Sequence, residues 1–537
     1  MASAPPARQL HRTLTLVACI VGSGMVFLDG TVVNVALPAI RHELGGGLAA
    51  QEWVVEGYLL SLSALLLIGG SLGDLLGRRR IFAAGIVSFG ALSLVCAIAP
   101  TIDTLIAARV LQGVAGALLV PSTLALLMDT FPESERGAAI GTWTAFGGVA
   151  TVIGPLGGGA LVDAASWRWV FAINLAPAVI TLLLLRFAPP GHRESARIDF
   201  TGALLAALGL AGPVFALIEQ PREGWSSPLV LVALIAGLAL LAAFLVWERR
   251  AHSPMLPLDV FRSRNFSVGN GATLAIYGGL GAFTFTLPVY LQQVAGYRAL
   301  QAGLSMLPIT VVMFALSRRF GALADRAGPR LFMGLGPIAA GAGLLLFVRV
   351  NAHPSYVADI LPAVLVFALG LAMTVAPLTA TVLGAADDRH AGVASGINNA
   401  IARVAGLLAI AVVGAVISGY FASRVDGGVR HAALTPLEQR SIADGRRRPL
   451  TVSGSTPRVQ ATLRSASVDA FHLAAILGAA LTAAGGLLSL AGIRNPRREV
   501  RAGDCPGGAL VGANREQRPE SPRAGEREAE PVGAGAG

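Results

Sequence analysis

GSLGDLLGRRR, Gly70 to Arg80, follows one long apolar run, and GALADRAGPR, Gly321 to Arg330, follows another. Gly70 matches Gly321, Leu72 matches Leu323, Asp74 matches Asp325 and Gly77 matches Gly328, all at one constant offset. The same segment recurring at corresponding places implies a chain built from two parallel halves, as transporters with a central cavity are. Glycines suit a tight turn between helices. Asp74 stands where it can cap a helix start and pair with Arg78 or Arg79.

The apolar runs around these loops set the environment. Of 537 residues, 54% are hydrophobic and 13% charged, with a mean hydropathy of +0.66. Soluble domains carry about 25% charged residues. A bilayer-embedded chain needs no such polar surface. Helices of about twenty apolar residues cross a membrane. Fourteen such segments fall near 14–37, 53–72, 81–99, 104–127, 138–161, 168–186, 200–218, 228–247, 267–291, 301–317, 331–349, 358–383, 394–420 and 470–492. The expected fold is therefore all-α, with six-helix halves at 14–187 and 266–492 and an inserted helix pair at 200–247. Residues 1–13 form a terminus, 421–469 a long loop, and 493–537 a disordered tail rich in Arg, Glu, Pro and Gly.

Charge placement orients the chain. The net charge of +10 does not imply a nucleic-acid partner, because the basic residues sit mostly in short gaps between apolar segments. Gaps after even-numbered spans are Arg-rich, as at Arg78–Arg80 and at Arg318, Arg319, Arg326 and Arg330. Gaps after odd-numbered spans hold single residues such as Arg41, Arg168, Arg222 and Arg298. The excess marks the cytoplasmic face, so both termini are expected in the cytoplasm. Residues 421–469 carry eight Arg yet fall on the external side, which long loops tolerate.

Polar residues inside apolar spans are the candidate functional groups. FLDGTVVNVALP, Phe27 to Pro38, places Asp29 in the first span, as a buried functional carboxylate or one reaching the interface from a helix end. WVVEGYLL, Trp53 to Leu60, places Glu56 near the start of the second, as a proton site or an exposed end carboxylate. AARVLQGVAGA, Ala107 to Ala117, places Arg109 in the fourth span with Gln112 on the same face. An unpaired Arg there is costly, so a carboxylate partner is implied, with Asp29 the obvious candidate. GPLGGG, with Gly154, Pro155, Gly158 and Gly159, allows close helix approach and frees a backbone carbonyl. It is not a nucleotide loop, since no GK[ST] follows. In AGVASGINNAIARVAG, Asn398, Asn399 and Arg403 either face a cavity or bond to a neighbouring helix. Cys19, Cys96 and Cys505 have no metal-ligand or redox spacing, so no metal or cofactor is expected.

The paired loops, FLDGTVVNVALP, RVLQG and GPLGGG together resemble the major facilitator superfamily, and within it the fourteen-span drug:proton antiporters of the actinomycete antibiotic-resistance type. The resemblance covers residues 13–492. It implies the facilitator fold of two six-helix bundles, alternating access, and gating loops at Gly70, Asp74, Gly77, Arg78 and Arg79 and at Gly321, Asp325 and Gly328. It assigns proton coupling to Asp29 and Arg109, places Asn34 beside Asp29 on the cavity, and reads GPLGGG as the antiporter signature. Leu75, Ala150 and Val404 stand where relatives usually carry Arg, Gly and Gln. The implied function is proton-gradient-driven efflux of lipophilic or cationic drugs through the inner membrane by a monomer, with Gln112, Asn398, Asn399 and Arg403 also on the cavity. The alternatives are a dedicated exporter of one metabolite, an uptake symporter, or a membrane-embedded enzyme or sensor; no span carries paired His or a nucleophile–base set.

Overall fold

The computed structural model describes residues 6–189, 199–251, 256, 258–385, 391–430, 432–446 and 448–495. The first half comprises α1 (Pro6–Leu44), α2 (Leu48–Leu76), α3 (Arg78–Ala97), α4 (Ile102–Thr130), α5 (Glu133–Ala164), α6 (Arg168–Ala172) and α7 (Leu175–Leu185). The inserted pair is α8 (Phe200–Glu223) and α9 (Pro228–Arg250). The second half comprises α10 (Arg264–Gln293), α11 (Ala299–Ser305), α12 (Leu307–Ala327), α13 (Pro329–Leu346), α14 (Leu361–Leu383), α15 (Ala391–Val429), α16 (Pro436–Arg446) and α17 (Pro457–Gly492).

Helices occupy all fourteen predicted segments, and no strand occurs among the described residues. Twelve are long and apolar enough to cross a membrane; α2 and α5, of 29 and 32 residues, are comparably long and pack among them. The sixth segment breaks into α6 and α7 around Asn174, and the tenth into α11 and α12 at Met306. On α9, Val232 and Ile235 are exposed in the chain, as suits an outer helix facing acyl chains.

The two halves repeat one another in packing as well as sequence. In the first half α2 packs on α4, α1 on α5, α3 on α4, α1 on α7 and α3 on α7. In the second α12 packs on α14, α10 on α15, α13 on α14, α10 on α17 and α13 on α17. The repeated loops obey the same rule. Gly77 and Gly328 both have positive φ, +102° and +91°, and each donates its N–H to the carbonyl four residues back. A side chain at either position strains the backbone, so glycine is the residue both turns require.

Some boundaries differ from expectation. Asp74 lies within the last turn of α2 rather than at a helix start, and its side chain is outside the described residues. Gly70 and Gly321 are helical and so do not form the turn; a β-carbon at Gly70 would make ordinary contact with Pro121 of α4, and one at Gly321 with Ala376 of α14. Residues 6–13 already belong to α1. The segment 421–469 is not a loop throughout. Helix α15 runs on to Val429, α17 begins at Pro457, and α16 lies between them, joined by Arg424–Asp469 and Arg446–Asp426 pairs. Polar helix ends beyond the bilayer bear no apolar signal, which is why hydropathy misses them. The tail beyond Asn495 is outside the described residues.

Cross-half contacts gather at the end opposite Gly77 and Gly328. Arg41 of α1 donates to Gln293 of α10, and Gln292 donates to the Val35 carbonyl at 3.0 Å. Asp163 of α5 accepts from the backbone N–H groups of Ala299 and Leu300 at 3.2 and 3.0 Å. GPLGGG sits in this seam. A β-carbon at Gly154 would lie 2.1 Å from Thr31 Oγ1, and one at Gly159 would lie 2.6 Å from the Leu300 Cα. These glycines let α5 approach α1 and α11 more closely than side chains permit.

Candidate functional site

The site is assembled where α1, α2, α3, α4 and the α6–α7 break converge. Asp29 on α1 and Arg109 on α4 form an ion pair with side-chain exposures of 0% and 1%. Arg109 also donates from Nε to the Val54 carbonyl of α2 at 3.0 Å and from Nη1 to Gln112 Oε1 at 2.8 Å. Gln112 Nε2 returns to Asp29 Oδ1 at 3.3 Å and to Ser93 Oγ of α3 at 2.8 Å. Asn174 Nδ2 lies 3.2 Å from Asp29 Oδ1 and 3.3 Å from Ser93 Oγ. The guanidinium of Arg109 lies over the Tyr58 ring at 4.2 Å from its centroid. A buried charge is tolerated when it is paired and hydrogen-bonded, and this network pairs Arg109 with Asp29 and bonds both to their neighbours.

The local sequence makes this geometry possible. A helical spacing of three puts Arg109 and Gln112 on one face of α4. Gly113, next on that helix, brings α2 in: a β-carbon there would lie 2.0 Å from Ser61 Oγ and 2.3 Å from the Tyr58 carbonyl. The α6–α7 break leaves Asn174 buried with its amide directed at Asp29.

The other predicted residues fall in several places. Gln112, expected on the cavity, is wholly buried inside the Asp29 network and lines no open surface. Asn34 is half-buried on α1 and its Oδ1 has no hydrogen-bond partner. Asn398 bonds to Asn270 Oδ1 and Thr273 Oγ1 of α10 at 3.0 and 2.9 Å, the helix-to-helix contact that is one of its two readings. Asn399 is exposed and Arg403 half-buried on the same helix. Arg78 pairs with Asp129 at 2.6 Å, and Arg79 donates to the Ala188 carbonyl at 3.0 Å. Asp325 is exposed and has no ion-pair partner among the described residues.

Glu56 is not an exposed end carboxylate. It is fully buried, with neither carboxyl oxygen bonded, and it is not part of the Asp29 network. It shares a face of α2 with Glu52 and Trp53. Glu52 packs against Gly414 of α15, and Trp53 Nε1 donates to Glu219 of α8 at 2.9 Å. The inserted helix α8 lies along both α2 and α15, with Val214 and Ile218 against Leu407 and Ala411.

Sequence reasoning missed Ser93, Tyr58, Asn174 and Glu52. Asn174 carried a usable signal, a primary amide in an apolar run; Ser93 carried none, since span hydroxyls commonly bond their own helix, as Thr123 does to the Leu119 carbonyl.

The sequence pattern of the Major Facilitator Superfamily matches residues 19–410, and the chain belongs to that family. It is 36% identical over 429 residues to the puromycin resistance protein pur8 of Streptomyces alboniger, covering 78% of this chain and 84% of that protein. It is 32% identical over 454 residues to the multidrug resistance protein Stp of Mycobacterium tuberculosis, covering 84% and 83%. It is 34% identical over 413 residues to the methylenomycin A resistance protein of Bacillus subtilis, covering 75% and 87%. Among solved structures, a bacterial homologue of the human lysosomal transporter Spinster, inward-facing and unoccupied, has a TM-score of 0.63 at 16% identity and covers 92% of this chain and 100% of that one. The xylose transporter XylE of E. coli, inward-open, has a TM-score of 0.54 at 13% identity and covers 91% and 97%. These two share its fold.

Proposed function

We propose that the chain exports organic small molecules, antibiotics among them, across the cytoplasmic membrane in exchange for protons. The observation that carries this reading is the Asp29–Arg109 pair, a buried carboxylate whose charge is matched by one cation. It stands in a chain related to proteins named for puromycin, methylenomycin A and multidrug resistance. The Arg-rich gaps support cytoplasmic termini, so the Gly77 end faces the cytoplasm and the end where the cross-half contacts gather faces outward.

In this reading the two halves rock about the seam that GPLGGG packs. A proton reaching Asp29 cancels the charge that holds Arg109, and the guanidinium then leans on the Val54 carbonyl, Gln112 and the Tyr58 and Phe171 rings. The changed balance between α1 and α4 favours the alternative arrangement of the halves. Release of the proton inward restores the pair. No cofactor enters, because the proton gradient supplies the energy. The substrate is lipophilic, in keeping with the predominantly apolar spans it passes between. One chain carries both halves, so a monomer suffices.

A host lacking its own pumps, expressing this chain, should tolerate several lipophilic antibiotics better, and collapse of ΔpH should abolish the gain. Unchanged tolerance across a broad panel, with the chain in the membrane, contradicts the reading. A cysteine at Ser441 in a background without native cysteines should react with an impermeant thiol reagent on intact cells. Protection of that site would invert the orientation.

A further inference from the structure

Arg403 is a span cation that lies outside the Asp29 network. Arg403 stands on α15, half-buried, and has no ion-pair or hydrogen-bond partner among the described residues. The group within its electrostatic reach is Tyr58 of α2, across the contact between the halves. Arginine keeps its charge in proteins, so the guanidinium cannot be silenced by losing a proton. An intraspan charge needs a counter-charge or a wet cavity.

The nearby carboxylates are not available. Both oxygens of Asp29 are occupied by Arg109, Gln112 and Asn174. Glu56 has neither oxygen bonded, so it is not the partner of Arg403. Glu52 packs at Gly414, eleven residues further along α15, about 16 Å of helix away. On the Arg403 helix Asn398 turns to α10, while Asn399, one turn before Arg403, is exposed. Arg403 is half-buried rather than sealed, so an anion that answers it comes from outside the protein, through the opening its head faces.

We propose that Arg403 binds a negatively charged group of the transported molecule, a carboxylate or equivalent oxyanion, so that the substrates are lipophilic organic acids rather than cations. The planar fork of arginine suits two parallel hydrogen bonds to such a group. The Tyr58 ring lies under Arg109, so the bound anion sits one side chain from the coupling pair. This inference rests on the export reading and sets aside the expected cationic substrate.

Purified chain in lipid nanodiscs at pH 7 tests it with three probes of one shape: 1-naphthaleneacetate, its methyl ester and 1-naphthaleneethylamine. The acid should bind at least tenfold more tightly than the ester or the amine. Arg403→Gln should erase that preference, and Arg403→Lys, a point charge without the fork, should keep part of it. Should Arg403→Gln fail to fold, the wild-type preference and its reduction in Arg403→Lys decide. Equal affinity for acid and ester, absent binding of all three, tighter binding of the amine, or an unchanged preference in the folded variants overturns the proposal. Export is scored separately in cells. A chain that exports antibiotics but shows no acid preference loses this inference alone, and one that prefers the acid yet exports nothing loses the export reading alone.

Discussion

Arg109 on α4 donates to Asp29 on α1, and neither side chain reaches solvent. Two opposite charges placed in an apolar bundle stabilise each other only as a pair. Removing one partner of such a pair typically costs about 3–5 kcal/mol, since the other is left uncompensated. A proton does the same thing reversibly. That is the physical basis for reading the pair as a coupling element rather than as scaffolding.

The turn between α2 and α3 offers a second test. Arg78 and Asp129 meet at 2.6 Å with side-chain exposures of 13% and 11%, joining the turn to the end of α4. Arg78→Gln and Asp129→Asn should each slow transport severalfold while leaving the chain in the membrane. The exchanged pair, Arg78→Asp with Asp129→Arg, should recover part of the rate. Full activity in both single variants, measured in vesicles at matched expression, makes this contact ornamental to the cycle.

Helix packing around the site gives a stability prediction. Gly113 brings α4 against α2 with no room for a β-carbon. Gly113→Ala should destabilise the purified chain by about 1–3 kcal/mol, the usual range for overpacking a tight interface. The thermal midpoint in detergent reads this directly. An unchanged midpoint shows that α2 and α4 have slack there.

Much of this was legible in the residues and some was not. Twenty-residue apolar runs have one low-energy solution in a bilayer, so the helix positions follow from hydropathy alone. The Asp29–Arg109 pair follows from the penalty of leaving either charge alone in a span. The orientation of Gln112 does not follow: spacing puts it beside Arg109, but whether that face meets a cavity or Asp29 depends on how α1 crosses α4. Glu56, near the start of its span, reads equally as a proton site or an exposed end carboxylate, and it is buried because α2 is flanked by α8 and α15. The helical ends of 421–469 are polar and escape any apolar signal.

That segment carries a pH prediction of its own. Glu438 accepts from the Thr435 N–H and hydroxyl at 3.0 Å each and from the Thr456 hydroxyl at 2.9 Å. The Thr435 N–H foremost, then the Thr456 and Thr435 hydroxyls, hold its carboxyl below the usual carboxylate range. A depressed folded-state value means the contribution is present above the unfolded value, about 4.3, and is lost as pH falls through the folded one. Thermal midpoints of the wild type and Glu438→Gln should therefore differ at pH 7 and converge toward pH 3. A difference that persists unchanged into acid contradicts the assignment.

In the proposed cycle the charge on Asp29 couples proton movement to export. Asp29→Asn preserves the size of the side chain and can still accept from Gln112 and Asn174, but it cannot take up and release a proton. Chain of confirmed fold, reconstituted in vesicles with an antibiotic the wild type exports and with ΔpH imposed, separates coupling from binding. Asp29→Asn should bind the antibiotic and equilibrate it without building a gradient, while Glu56→Gln still concentrates it. Concentration of the antibiotic by Asp29→Asn at the wild-type level, with Glu56→Gln inert, would rule out coupling at Asp29 and move the proton site to α2.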